Sequence, residues 1–390
     1  MKALQVYRSV PRYLTARALG GRLPGAAGMA PVRLVDTDAP SCPDGWIRLR
    51  TRLSGICGSD LATVSGGSSL YFSPLVSLPF TPGHEVLATT LDDSPGLAAG
   101  ARVVLDPVLG CLARGLSPCP ACTDGDTGRC ARVTLGHVSP GLQTGFCADT
   151  GGGWSAELVA HPSQLHVVPA ELSDERAVLA EPLACSVHVV RQAAVTAGES
   201  VLVVGAGSVG LLTTLALRAL SSVGPLTVVA KHDGQAVCAQ DLGADATVRP
   251  TEALRAVRRT TGAVVLRPER GHDFLLGGVD VAIECTGTSA GLDLAMRATR
   301  AGGRVVLAGM PAGADLSPVW FRELQVVGAY ATGHDDFATA LRLLADERLE
   351  RLVTSFHPLS RWREALDEAG AAGRWGLTKV GFDLRTGAAA

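Results

Sequence analysis

The run Val201-Leu202-Val203-Val204 passes directly into Gly205-Ala206-Gly207-Ser208-Val209-Gly210, and this junction limits the folds open to the chain more than any other feature. Four consecutive apolar residues without alternation read as a strand buried on both faces, as in a parallel sheet. Beyond the glycines, Leu211, Leu212, Leu215 and Ala219 fall on one face of a helix over Ser208–Leu220. Each glycine has a use at such a junction. The first permits the tight turn, the second lets the backbone approach a pyrophosphate, and the third lets helix and strand pack closely. Free N–H groups of the first helical turn then face the phosphates. Gly205, Gly207, Ser208, Val209 and Gly210 are therefore the expected dinucleotide contacts.

The pattern continues on both sides of this unit. Short apolar strands are expected at Leu226–Val229, Ala246–Val248, Val279–Glu284, 304–308 and Gln325–Gly328. Strands alternating with helical segments imply an α/β class, a doubly wound parallel sheet with helices on both faces. Helical patterns follow at 335–345 and 360–369, and the run 379–384 reads as a strand returning to the first domain. Before Val168-Pro169 the chain differs. It is rich in glycine and proline, with β-like runs at 46–50 and 101–105, and reads as a β-rich domain with long loops. Domains are expected at 1–170 and 171–328, with 329–390 returning to the first.

At the end of the second strand of this sheet, an acidic residue roughly 20 positions past the glycines would accept from an NAD ribose. This chain has Ala230, then Lys231 and His232. Alanine neither bonds the ribose nor repels a phosphate, and the adjacent cations attract one, so NADP(H) is expected over NAD(H). The competing possibility is that Asp233 serves the ribose.

Charge and composition exclude several functions. The 390-residue chain carries a formal net charge of −2 and is 47% apolar. Such a chain offers no basic patch to nucleic acid or to an anionic membrane. The opening MKALQVYRSV lacks the apolar core of a secretory signal. No stretch reaches the ~18 apolar residues of a transmembrane helix. A cytoplasmic protein without nucleic-acid or membrane partners is expected. In that setting its ten cysteines read as metal ligands or catalytic groups rather than as a disulfide framework.

Four of those cysteines, Cys111, Cys119, Cys122 and Cys130, lie in a loop broken by Pro118, Pro120, Gly125 and Gly128. Four thiolates around Zn²⁺ make a closed tetrahedral site that folds such a loop and leaves no position for substrate. A second set is dispersed: Cys57 in Gly55-Ile56-Cys57-Gly58-Ser59-Asp60, His84 and Glu85 after Pro82-Gly83, and Glu181 in Ala180-Glu181-Pro182-Leu183. Thiolate, imidazole and carboxylate also suit Zn²⁺.

Taken in order, GICGSD, PGHE, the four-cysteine loop, AEPLACSVH and GAGSVG resemble the zinc-containing medium-chain dehydrogenase superfamily, as do DVAIECTGT, AGGRVVLAGM and KVGFDL. The resemblance spans nearly the whole chain. It implies a GroES-like β-rich catalytic domain built from both chain ends, joined to a Rossmann domain. It makes Cys57, His84, Glu85 and Glu181 the catalytic zinc set and the four loop cysteines the structural one, two zinc ions per chain. Ser59 is then the hydroxyl that relays the substrate proton, and Asp60 the carboxylate that orients a ligand histidine. Glutamate at 181, within Glu-Pro-Leu, points to the polyol and glucose dehydrogenase-like branch.

The implied activity is hydride transfer between a secondary alcohol or polyol, or its ketone, and a nicotinamide dinucleotide, in a homodimer or homotetramer. The alternatives are a zinc-free NADPH-dependent enoyl or quinone reductase and a non-catalytic NADP-binding sensor, neither of which needs Cys57, His84, Glu85 and Glu181. Three departures from the family pattern stand out. Seven residues separate Cys111 from Cys119 where the family usually has two. The segment 11–30 reads as an insertion. The stretch 70–80, LYFSPLVSLPF, is apolar for the border of a sugar pocket.

Overall fold

The computed structural model describes residues 1–19, 26–310, 313–333 and 335–385. They form two compact units. One comprises Met1–Glu181, Thr332–Ala372 and Lys379–Ala390, and the other Pro182–Ala331 and Gly373–Thr378. Parts of two expected segments, 20–25 of the insertion and 334 and 386–390 of the return, lie outside the described residues.

The second unit is a six-stranded parallel sheet in the order Ala246–Val248, Leu226–Val229, Val201–Val204, Val279–Glu284, Thr299–Leu307, Gln325–Gly328. From Val201–Val204 the chain winds outward on one side, then crosses back to add Val279–Glu284 on the other. That reversal is the switch point where open α/β sheets bind their ligands. All four residues of Val201–Val204 are buried, as their unbroken apolar run requires. The helix Ser208–Leu220 buries Leu211, Leu212, Leu215, Ala216 and Leu217 against it. The helix Ser289–Ala298 starts where Thr288 accepts the Gly291 N–H, and it buries Leu292, Ala295 and Met296.

The first unit holds a seven-stranded, mostly antiparallel sheet ordered Val353–His357, Lys379–Asp383, Ile47–Gly55, Val86–Thr90, Arg102–Leu105, Leu165–Val167, with Glu157–Ala160 also on Ile47–Gly55. In Ile47–Gly55 the alternation Ile47, Leu49, Thr51, Leu53 points inward while Arg48 and Arg50 are exposed, the signature of a one-sided strand. The C-terminal strand Lys379–Asp383 pairs antiparallel with it, Gly381 opposite Gly55. Sequence therefore located this return strand.

Three features differ from the sequence reading. The first unit extends to Glu181 rather than 170. Asp174 explains this, because it is gripped by Arg52 at 2.6 Å, Arg102 at 2.9 Å and Arg385 at 3.3 Å, all from the first unit. Residues 373–378 rejoin the second unit before the final strand. A separate hairpin, Val264–Leu266 with Phe274–Leu276, escaped notice because its three-residue strands are too short to show periodicity. The insertion carries the helix Val10–Leu19, and Arg17 Nη1 donates to the Gly66 carbonyl at 3.0 Å.

Candidate functional site

The four loop cysteines come together. Their sulfurs all lie within 4.8 Å of one another, and Cys111 Sγ is 3.6 Å from Cys130 Sγ. Local structure brings them there. Cys119 caps the short helix Pro120–Thr123, whose proline presets the first turn. The long gap after Cys111 closes as a turn, with the Leu116 N–H donating to the Cys111 carbonyl at 2.9 Å. Backbone N–H groups also reach sulfur, Cys119 to Cys111 and Arg132 to Cys130, each at 3.4 Å.

Backbone donors from Cys122 and Ala131 lower the Cys119 thiol to about 6. Burial pushes Cys122 and Cys130 up. An acidic thiol beside two reluctant ones marks a crowded sulfur cluster, and a divalent ion removes the conflict. The donor set therefore fits zinc.

Sequence reasoning missed Arg114 beside this loop. Its guanidinium is fully buried and donates to five carbonyls: Leu109 at 3.0 Å, Leu135 at 3.0 Å, Val138 at 3.1 Å, Ser139 at 3.4 Å and Gly141 at 2.6 Å. It ties the turn after Cys111 to 135–141. An arginine in a loop gives no sequence sign of burial.

The dispersed set centres on Asp60. The helix Gly58–Val64 begins at Cys57, and Asp60 Oδ2 accepts the Cys57 N–H at 3.0 Å. Its other oxygen faces His84 Nδ1 at 3.4 Å, an ion-pair distance, and neither of these two buried atoms has a hydrogen-bond partner. His84 Nε2 thereby turns toward Ser59 Oγ, 3.4 Å away, while the Cys57 thiol also hydrogen-bonds the His84 ring. Burial opposes a charge on His84, but the Asp60 carboxylate outweighs it, and the ring's proton affinity rises well above the ordinary imidazole value. A buried imidazole so oriented, beside a thiol, suits a metal ion at Nε2.

Glu85 is placed differently. Both of its oxygens accept from Lys379 Nζ at 2.6 Å, and both side chains are almost completely buried. A side chain at Gly55 would collide with Glu85 Oε2, so glycine is required there. Burial works against the Lys379 charge, yet Glu85, then Cys57 and Glu181, raise its pKa. Glu181 is buried in the first turn of the helix Ala180–Ala193. Among the described residues, only the four-cysteine group gathers three or more metal-ligating atoms within 4.8 Å of one another. Lys379 was read from sequence only as part of a strand. Its signal was a lysine in a run that otherwise reads apolar.

The glycine motif has the expected junction geometry. Gly205 has φ +104°, and a side chain there would press on Thr286. One at Gly210 would strike the Gly205 carbonyl. At Gly207, by contrast, a Cβ would meet nothing within 4 Å, leaving open space at the N-terminus of the helix. That space suits a pyrophosphate. Ser208 Oγ donates to the Thr378 carbonyl at 3.1 Å, and Val209 is half-buried.

At the strand end Ala230 is buried, Lys231 is exposed and His232 caps the helix Asp233–Asp241. Arg249 was missed. Because Val248 pairs with Val229, the next residue, Arg249, emerges beside Ala230. It donates to the Lys231 carbonyl and to Asp233 Oδ1, the latter at 2.6 Å. Asp233 thus pairs with a cation while its side chain stays 91% exposed. Burial first, then Lys231, Arg249 and Arg374, lowers the His232 pKa.

Comparison with known proteins agrees with this picture. A model of the alcohol dehydrogenase GroES-like domain matches residues 43–170, and one of zinc-binding dehydrogenases matches 208–346. The chain is 32% identical over 298 residues to sorbitol dehydrogenase of Arabidopsis thaliana, covering 75% of each chain. It is 30% identical over 299 residues to L-idonate 5-dehydrogenase of Vitis vinifera, again 75% of each. A putative zinc-binding dehydrogenase from Sinorhizobium meliloti, solved bound to NADP, matches at 26% identity and a TM-score of 0.70, over 90% of this chain and 95% of that one. The fold of 2R,3R-butanediol dehydrogenase from Bacillus subtilis superimposes with a TM-score of 0.71 at 24% identity, over 90% and 96%.

The chain belongs to the zinc-containing medium-chain dehydrogenases, in their polyol dehydrogenase-like branch. It is an oxidoreductase that uses zinc and a nicotinamide cofactor to interconvert an alcohol or polyol and its carbonyl compound. No helix among the described residues is long and apolar enough to cross a membrane.

The Glu85–Lys379 pair generates a direct test. Lys379→Met leaves a carboxylate buried without its partner, which costs about 3–5 kcal/mol. The double variant Glu85→Met/Lys379→Met is expected to recover most of that loss in a denaturant titration. Equal destabilisation of the single and double variants would contradict the account.

Proposed function

We propose that Cys57, His84 and Glu181 hold the catalytic zinc, that Cys111, Cys119, Cys122 and Cys130 hold a structural one, and that the enzyme prefers NADP(H). The carrying observation is the linked set Cys57, Asp60, His84 and Ser59: one carboxylate both starts the helix that presents Cys57 and orients His84. Bound zinc supplies a Lewis acid that lowers the pKa of the substrate hydroxyl, and the dinucleotide supplies the hydride acceptor. Ser59 Oγ, 3.4 Å from His84 Nε2, takes the hydroxyl proton and passes it outward. Asp60, its carboxylate 3.4 Å from Nδ1, orients His84 and favours a proton on Nδ1. Lys379 holds Glu85 and keeps that carboxylate's charge compensated while Glu181 serves the metal.

Two zinc ions per chain are expected by metal analysis. Cys57→Ser should retain the fold and one zinc with little activity. Cys122→Ser should lose the other zinc and unfold more easily, because that ion's binding energy is folding energy. Full activity in a metal-free chain would refute the assignment.

The NADP preference rests on Ala230, Lys231, His232 and Arg249, and the NADP-bound relative supports it. One charge-assisted contact to a 2′-phosphate contributes roughly 1.5–3 kcal/mol, or about one to two decades. NADP+ should exceed NAD+ by about tenfold or more in kcat/KM. Ala230→Asp with Lys231→Ala should reverse the ratio, and a wild type favouring NAD+ would overturn this reading.

We also infer a homodimer or homotetramer in the cytoplasm. Ten cysteines, none of them in a disulfide, suit a reducing compartment. The strand Gln325–Gly328 ends its sheet largely exposed, and Trp320 and Phe321 on the neighbouring helix are 84% and 63% exposed. Such an apolar sheet edge invites pairing with a second copy. Light scattering at micromolar concentration should give an oligomer, and Val326→Lys should shift it toward monomer.

A further inference from the structure

We propose that Arg374, on the stretch 373–378 near the end of the chain, binds the 2′-phosphate of the cofactor and helps set the preference for NADP(H). This rests on the NADP reading above and adds to it a residue far outside the strand end that sequence connects with cofactor choice.

The stretch rejoins the second unit just before the last strand and packs on the start of the helix Asp233–Asp241. Glycine makes the approach possible. A Cβ at Gly373 would stand 2.7 Å from His232 Cδ2 and 2.8 Å from Gln235 Nε2, so no larger residue fits there without displacing them. A Cβ at Gly234 would just touch Gly376 Cα, at 3.6 Å. The far end of the stretch is tied to the helix of the glycine motif, where Ser208 Oγ donates to the Thr378 carbonyl at 3.1 Å. The stretch thus runs between the helix expected to hold the pyrophosphate and the strand end expected to hold the 2′-phosphate.

Arg374 is the only cation it carries, and its side chain is exposed. Lys231, Arg249 and Arg374 converge on His232, where, after burial, their charges lower the imidazole pKa. Asp233 compensates Arg249 at 2.6 Å. Lys231 and Arg374 have no carboxylate partner among the described residues. Three cations held together against their repulsion, with one carboxylate among them, leave an excess of positive charge that an anion relieves. A phosphate suits the site, because a guanidinium can donate two parallel N–H groups to its oxygens. An unphosphorylated ribose offers no charge to meet, so this contact favours NADP(H) alone.

The test measures binding of adenosine 2′,5′-bisphosphate and of 5′-AMP, which differ only in the 2′-phosphate, by calorimetry on the zinc-loaded, full-length chain. Salt is held near 0.1 M, where a Debye length of about 10 Å screens distant charges. The wild type is expected to bind the bisphosphate about tenfold or more tighter. Arg374→Ala should cut that ratio about fivefold, the share of a charge-assisted contact that survives solvent exposure, and leave 5′-AMP affinity in place. Arg374→Glu should cut it further. Arg255→Ala, which removes an exposed arginine from the helix Ala253–Thr261, should leave the ratio unchanged. A wild type that binds both ligands equally would overturn the NADP reading and the role of Arg374 with it. If the wild type prefers the bisphosphate, but the ratio survives in both Arg374 variants or falls equally in Arg255→Ala, only the inference is overturned. An equal loss for both ligands in Arg374→Ala would make the arginine structural and likewise overturn it.

Discussion

The ion pair between Glu85 and Lys379 is the contact on which the catalytic unit depends. Two opposite charges sit in a nearly water-free interior, and such a pair is tolerable only when its geometry is close and its hydrogen bonds are complete. Both conditions hold, since one ammonium reaches both carboxylate oxygens. The partners stand 294 positions apart in sequence. The pair therefore registers the last strand of the chain against the segment that carries His84. A slip of one residue in the pairing of Lys379–Asp383 with Ile47–Gly55 would point Lys379 the other way and leave Glu85 buried alone. Gly55 completes the constraint, because only glycine leaves room for the carboxylate.

Asp60 plays the same part on a shorter range. One of its oxygens satisfies an N–H at the start of a helix, and the other orients His84. A single side chain thus couples a local folding signal to the chemistry of the site. Ser59 and Cys57 are carried by the same turn, so their positions relative to His84 follow from the cap. This is why the compact run from Gly55 to Asp60 contains so much of the site.

Much of the fold was legible. Val201–Val204 and Leu226–Val229 were readable as strands because a parallel sheet buried on both faces writes nearly continuous apolar runs. The cysteine loop was legible from side-chain chemistry alone. The side chains of the site that escaped share one physical trait: each is a charged group whose meaning depends on a partner elsewhere in the chain. Lys379 needs Glu85, Arg114 needs carbonyls spread over 109–141, and Arg249 needs the adjacent strand end at Ala230. Arg249 was recoverable in principle, since the order and register of neighbouring parallel strands place it. Arg114 was not, because backbone carbonyls leave no mark in a sequence.

The two proposed metal centres then stand in opposite relation to the protein. In the cysteine loop the thiols themselves create the problem, since burial pushes Cys122 and Cys130 up beside an acidic Cys119. There a bound ion would organise the chain, and Arg114 fixes only the frame behind it. Around Cys57 and His84 the chain organises the site in advance, through the Asp60 cap and the Glu85–Lys379 registration. A centre whose ligands are oriented by the fold can leave a coordination position to substrate without collapsing. That difference, rather than ligand type alone, is the argument for proposing structural support at the first centre and chemistry at the second.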